Sequence, residues 1–165
     1  MPSKEVLEFY GLKGPIGYMR YSFRFIKNFM LDKMAFFCPI KRWRTQFHRW
    51  KGIKIGKGVY IGHEVIFDRV FPDQIEIGDN TSVGDRAIIT AHANIPSNSP
   101  LKELYPRKVE KTIIGKGVWI MPNVTIIPGV IIEDECVIAT GSVVTKKVNK
   151  RTLVGGIPAR ELKKL

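Results

Sequence analysis

From residue 53 onward an aliphatic side chain returns at every sixth position, and few folds tolerate that period. Ile55, Ile61 and Phe67 are six apart, and after four extra residues come Ile77, Val83 and Ile89. After a longer break Ile114, Ile120, Ile126, Ile132, Ile138 and Val144 follow in phase. Two positions before each stands a small or β-branched residue, from Ile53 and Val59 to Cys136 and Ser142. Six is neither the 3.6 of a helix nor the sustained alternation of an ordinary strand. Short extended segments joined by tight turns do satisfy it. Three such segments close one triangular coil, and stacked coils bury the recurrent aliphatic position. Twelve hexads predict an all-β chain with about four coils of a parallel β-helix.

Two interruptions stand out against this regularity. The shorter, in "IFDRVFPDQI", adds four residues and carries Asp68. The longer, residues 93–111, opens directly after His92. Coil walls are flat and offer no natural pocket, so a loop of that length is expected to build one. The chain has three histidines, His48, His63 and His92. His48 precedes the coil and His63 sits in a turn without histidine neighbours. A three-imidazole zinc site is therefore not expected.

The first third of the chain has a different character. The net charge is +12, and residues 1–57 hold 13 Lys/Arg against 3 Asp/Glu. Aromatics are interleaved in "YMRYSFRFIKNFM" and "KRWRTQFHRWKGIKIGKG". Three readings compete: a helical cap packed on the coil, a peripheral contact with an anionic membrane through residues 15–51, and contact with nucleic acid. The third is not expected. No secretory signal or membrane span is apparent. Two cysteines, Cys38 and Cys136, are too few for a disulfide framework. A cytoplasmic protein is expected, with a basic extension over residues 1–52, a repeat domain over 53–148 and a tail over 149–165.

The repeat, the loop after "TAH", "VWI" and "VGGIPAREL" together resemble the hexapeptide-repeat acyltransferases. The similarity covers residues 53–165 and extends to the maltose, galactoside and surface-polysaccharide O-acetyltransferases. It implies a left-handed β-helix, a homotrimer and acetyl-CoA as co-substrate, and acetyl transfer from a thioester needs no metal. His92 stands where the family carries its general base, and an imidazole, with a reference pKa of about 6.5, can take a proton from an attacking hydroxyl. The resemblance also implies coenzyme contacts at Trp119, Thr140, Thr145, Lys146, Arg160 and Lys163. Acceptor contacts are expected at Asp68, Asn94 and Arg107, with Asn98 a further candidate. One departure is "WIMP" where the family commonly reads "WIG": Pro122 has no N–H to offer an oxyanion, which leaves the Met121 amide as a candidate.

The expectation is thus acetyl transfer from acetyl-CoA to a hydroxyl of a saccharide, free or lipid-linked, in surface-polysaccharide biosynthesis. Acetylation of a sugar amine is the nearest alternative, since the same base would serve. A non-enzymatic β-helix scaffold is the alternative of another class.

Overall fold

A computed structural model describes residues 4–95 and 98–165. Three helices come first: α1 (Lys4–Phe9), α2 (Gly14–Phe37) and α3 (Lys41–Lys51). Pro15 enters the first turn of α2, and the helix stops at Cys38, held extended ahead of Pro39. Gly52, in the left-handed conformation, closes α3.

The hexads become strands of two or three residues. In chain order these are β1 (Lys54–Ile55), β2 (Tyr60–Ile61), β3 (Ile66–Phe67), β4 (Ile75–Ile77), β5 (Ser82–Val83) and β6 (Ile88–Ile89). A hairpin follows, formed by β7 (His92–Ala93) and β8 (Lys108–Val109). Then come β9 (Thr112–Ile114), β10 (Trp119–Ile120), β11 (Thr125–Ile126), β12 (Ile131–Ile132), β13 (Val137–Ile138) and β14 (Val143–Val144). The C-terminal pair is β15 (Thr152–Gly156) and β16 (Ala159–Lys164).

These strands stack into three walls. Wall A runs β1-β4-β9-β12, wall B runs β2-β5-β10-β13-β15-β16, and wall C runs β3-β6-β11-β14. All pairings within the walls are parallel except β15 with β16, which is antiparallel. The recurrent position is the core: Ile61, Val83, Ile89, Ile120, Ile126 and Ile138 are completely buried. Complete burial of such a side chain contributes about 1.5–3 kcal/mol. The residues two before it, among them Ile53, Thr81, Ala87, Val124 and Ser142, are buried at the coil corners. Just ahead of these corner residues the backbone turns left-handed, at Gly58, Glu64, Asn80, Arg86, Gly117, Asn123, Gly129, Glu135 and Gly141. That turn explains why glycine and asparagine punctuate the repeat.

The first coil has no coil above it, so the last residue of each of its strands turns its carbonyl away from the stack. Helix α3 supplies donors to all three walls. Arg49 Nε donates to the Ile55 carbonyl at 3.2 Å, Arg44 Nε to Ile61 at 2.9 Å, and Lys51 Nζ to Phe67 at 3.3 Å. Arg44 and Lys51 are buried, and Lys51 also pairs with Asp32 of α2 at 2.5 Å. Burial beside Lys51 and Arg44 pushes the pKa of His48 down to about 3, so this histidine packs as a neutral ring against Phe67. Three of the five Lys/Arg in "KRWRTQFHRWK" therefore serve as an edge cap. The aromatic-basic pattern alone does not distinguish that use from a membrane surface.

Candidate active site

Asp68 and His92 meet at the corner where wall C passes to wall A. Asp68 follows β3 and Ala91 and His92 follow β6 in the next coil, so parallel stacking places them one above the other. The four-residue insertion folds back on Asp68: its Oδ1 accepts the N–H groups of Val70 and Phe71, each at 2.9 Å. Its Oδ2 accepts the N–H of Ala91 at 2.9 Å and of His92 at 3.0 Å. The same oxygen lies 2.5 Å from His92 Nδ1. Burial raises the energy of the carboxylate, but the hydrogen bonds from the His92 ring, Phe71 and Ala91 outweigh it and hold the pKa below the usual aspartate range. An ionised carboxylate can only accept, so Nδ1 carries the proton and donates. In the neutral ring Nε2 is then left with a free lone pair.

The aspartate does not fit the acceptor contact expected of it. Its side chain is 0% exposed, and five donors of the chain itself occupy its two oxygens. An incoming hydroxyl finds neither access nor a spare lone pair. His92, in contrast, is 19% exposed. Its ring is bounded by Phe71, whose centroid lies 5.2 Å away, and Phe71 is itself covered by Phe9 and Tyr10 of the N-terminal segment.

The loop after His92 begins as an antiparallel hairpin in which His92 opposes Val109 and Ala93 opposes Lys108. Asn94 is exposed two residues past His92, and Asn98 is exposed further along the loop. Arg107 has another partner: its Nε lies 3.0 Å from Glu5 Oε2, an ion pair whose alignment falls short of a hydrogen bond. Lys102 holds the other Glu5 oxygen at 3.0 Å. Helix α1 thus ties down the far arm of the loop, a contact with no signal in the hexad pattern.

The residues expected at the coenzyme fall into two groups. Thr145 and Lys146 follow β14 just as Thr90 and Ala91 follow β6, so they lie on the His92 corner two coils further along, about 10 Å at the usual strand spacing. Lys146 and Arg160 line one cleft at that end of the coil. Thr140 is exposed at the corner between walls B and C and donates to the Pro122 carbonyl at 2.7 Å. Trp119, 53% exposed, stands on wall B in a cross-strand column with Val137, Leu153 and Lys163. Wall B is the side of the triangle opposite the His92 corner, so one chain does not bring Trp119 and Lys163 to the histidine. The Met121 N–H donates to the Ile138 carbonyl at 3.0 Å, which removes it as an oxyanion donor. Among the described residues no three His, Cys, Asp or Glu side chains converge as a metal ion requires.

Comparison with known proteins agrees with this fold. Residues 111–146 match the family model for the bacterial transferase hexapeptide, six repeats. The Bacillus subtilis (strain 168) protein YvoF, provisionally named an acetyltransferase, is 32% identical over 136 residues, 82% of this chain and 74% of its own. WbbJ of Escherichia coli (strain K12), provisionally named a lipopolysaccharide biosynthesis O-acetyl transferase, is 32% identical over 100 residues. That match covers 56% of this chain and about half, 51%, of WbbJ. A hexapeptide-repeat-containing acetyltransferase of Vibrio cholerae O1 biovar eltor, solved with acetyl coenzyme A, superposes with a TM-score of 0.72. It is 24% identical, and the match covers 87% of this chain and 88% of that one.

Proposed function

The chain belongs to the hexapeptide-repeat acetyltransferases, enzymes built on a left-handed parallel β-helix, and we propose that it moves an acetyl group from acetyl-CoA to a sugar hydroxyl with His92 as general base. The carrying observation is the Asp68–His92 pair at the lip of the loop. It fixes the tautomer of the ring, which reserves the free lone pair for Nε2, on a side chain that stays 19% exposed. A thioester is already activated, so the remaining obstacle is the weak nucleophilicity of the hydroxyl.

As the acceptor oxygen attacks the thioester carbonyl, its proton passes to Nε2. The tetrahedral intermediate then collapses, the C–S bond breaks, and the departing thiolate takes the proton back from Nε2. Asp68 stabilises the transient imidazolium by charge and holds the ring in place, as the acidic member of a triad does. Asn94, two residues along the hairpin from His92, is suited to contact the acceptor.

The coenzyme is expected to lie along the corner between His92 and the cleft of Lys146 and Arg160, whose cations suit its phosphates. Thr145 would line the same path, whereas Thr140 and Lys163 stand off that corner in their own chain and would meet the coenzyme from a neighbouring subunit. Since Trp119 stands on the opposite wall of its own chain, its place in the channel requires a neighbouring subunit. This favours a homotrimer with sites between protomers. A surface polysaccharide or its lipid-linked precursor is the acceptor class suggested by the similarity to WbbJ. The test is release of free thiol from acetyl-CoA across a panel of saccharides. Turnover with a sugar hydroxyl supports the proposal, and turnover confined to amino sugars overturns it in favour of N-acetylation.

A further inference from the structure

Helix α2 is apolar on the wrong side. Its buried residues, Gly17, Tyr21, Asn28 and Ala35, fall on a line about 40° wide at 100° per residue. The face turned away from the protein should then be polar. Instead Ile16, Met19, Phe23, Ile26, Met30 and Phe37 stand there, each between 54% and 75% exposed. Scattered single apolar residues are ordinary, but a continuous stripe along 24 residues calls for a partner.

The charges beside the stripe identify one. Arg20 and Lys27 border it on one side and Lys33 on the other, with Lys13 at the start of the helix and Lys41 and Arg42 at the start of α3. Among the described residues none of these six cations has a carboxylate partner. They remain after Arg44, Arg49 and Lys51 have been spent on capping the coil. A second copy that met it with the same face, helix on helix, would set cation against cation. An anionic lipid surface complements both features, since it takes the apolar stripe below the headgroups and the cations at their level.

We propose that α2 lies on an anionic membrane, in the plane of its headgroups, as a peripheral contact. No helix among the described residues is long and apolar enough to cross a bilayer. The contact sits at the active-site end of the molecule. Tyr21 of α2 packs with Tyr10, Tyr10 stacks on Phe71, and Phe71 abuts His92. A sugar carried on a lipid would therefore be presented beside the base. The docking itself stands independently of the acceptor's identity.

Flotation of the full chain with phosphatidylcholine vesicles, with and without phosphatidylglycerol, tests this, with acetyl-CoA binding as a check that each variant is folded. The expected result is flotation with the anionic vesicles only, reduced at least ~10-fold by high salt or by Arg20→Glu with Lys27→Glu, and abolished by Phe23→Glu with Ile26→Glu. Absence of flotation at low salt overturns the proposal, as does flotation indifferent to Phe23→Glu with Ile26→Glu. Light scattering showing that this pair of changes breaks the oligomer would equally overturn it, by assigning the face to a second copy.

Discussion

Oδ2 of Asp68 lies 2.5 Å from Nδ1 of His92 and simultaneously receives the backbone N–H of the same histidine at 3.0 Å. One buried oxygen thus fixes both the ring and the main chain of the residue proposed as base. The two residues are 24 apart in sequence yet adjacent in the coil, because Asp68 directly follows β3 and His92 lies at the corner just after β6, the strand stacked on β3.

His92→Ala is expected to lower turnover by ~10²-fold or more, the usual scale for a lost general base. Acetyl-CoA binding, followed by calorimetry, should persist, because no expected phosphate contact involves the imidazole. Undiminished thiol release would move the base elsewhere.

Asp68→Asn leaves a side chain that can accept through one oxygen only, where two oxygens now receive five donors. Unsatisfied buried donors should cost about 2–3 kcal/mol of stability, and turnover should fall as the ring loses its anionic partner. The pH dependence has a definite sign. The folded pKa of Asp68 lies below its unfolded value, so its stabilisation is present above the ordinary aspartate range and is lost as pH falls through the folded pKa. In acid titrations at fixed temperature, the stability gap between the two proteins should be widest near neutrality and close below about pH 4.

The walls could be read from the sequence because a six-residue period has one common physical solution. Burial follows the hexad register from Ile61 to Val144 without a slip. His92 was marked by the break that follows it. The role of Asp68 was also within reach. It follows Phe67 just as Thr90 follows Ile89, so the register already placed it at the corner two residues short of the histidine, and only its burial separates a positioning role from contact with the acceptor. The pairing of Glu5 with Arg107, and the capping of three walls by α3, were not legible. Both depend on how a helical segment docks on the coil, which no period within the repeat encodes.

Arg44→Met tests the cap. The change leaves the buried Ile61 carbonyl and the half-buried Cys38 carbonyl without their donor, with an expected cost of about 2–4 kcal/mol. For a chain of this size the melting temperature should fall by roughly 4–16 °C. Acetyl-CoA affinity measured well below the transition should hardly change, since the proposed coenzyme cleft lies at the other end of the coil. An unaltered melting temperature would show that the open edge needs no cap.

Lys146→Ala and Arg160→Ala should each raise the dissociation constant for acetyl-CoA while leaving turnover at saturation close to the parent value, because the phosphates lie far from the reacting carbonyl. Equilibrium binding to coenzyme A and to its dephosphorylated form distinguishes the contacts. A residue facing the 3′-phosphate loses its effect with the dephosphorylated ligand, and one facing the pyrophosphate keeps it.

The separation of Trp119 from His92 within one chain leads to a test by subunit mixing. Trp119→Arg should obstruct the coenzyme channel, and His92→Ala should remove the base, so neither protein alone should turn over appreciably. If each site joins His92 of one protomer to Trp119 of its neighbour, co-assembled trimers regain intact sites wherever a Trp119→Arg chain supplies the histidine and a His92→Ala chain supplies the tryptophan. Random assembly from equal amounts should restore about a quarter of the parent activity per site. Sites contained within single chains would stay inactive at every mixing ratio. Co-purification of the untagged variant through an affinity tag carried by the other establishes whether mixed trimers have formed, so a null result with confirmed exchange rules out the shared site.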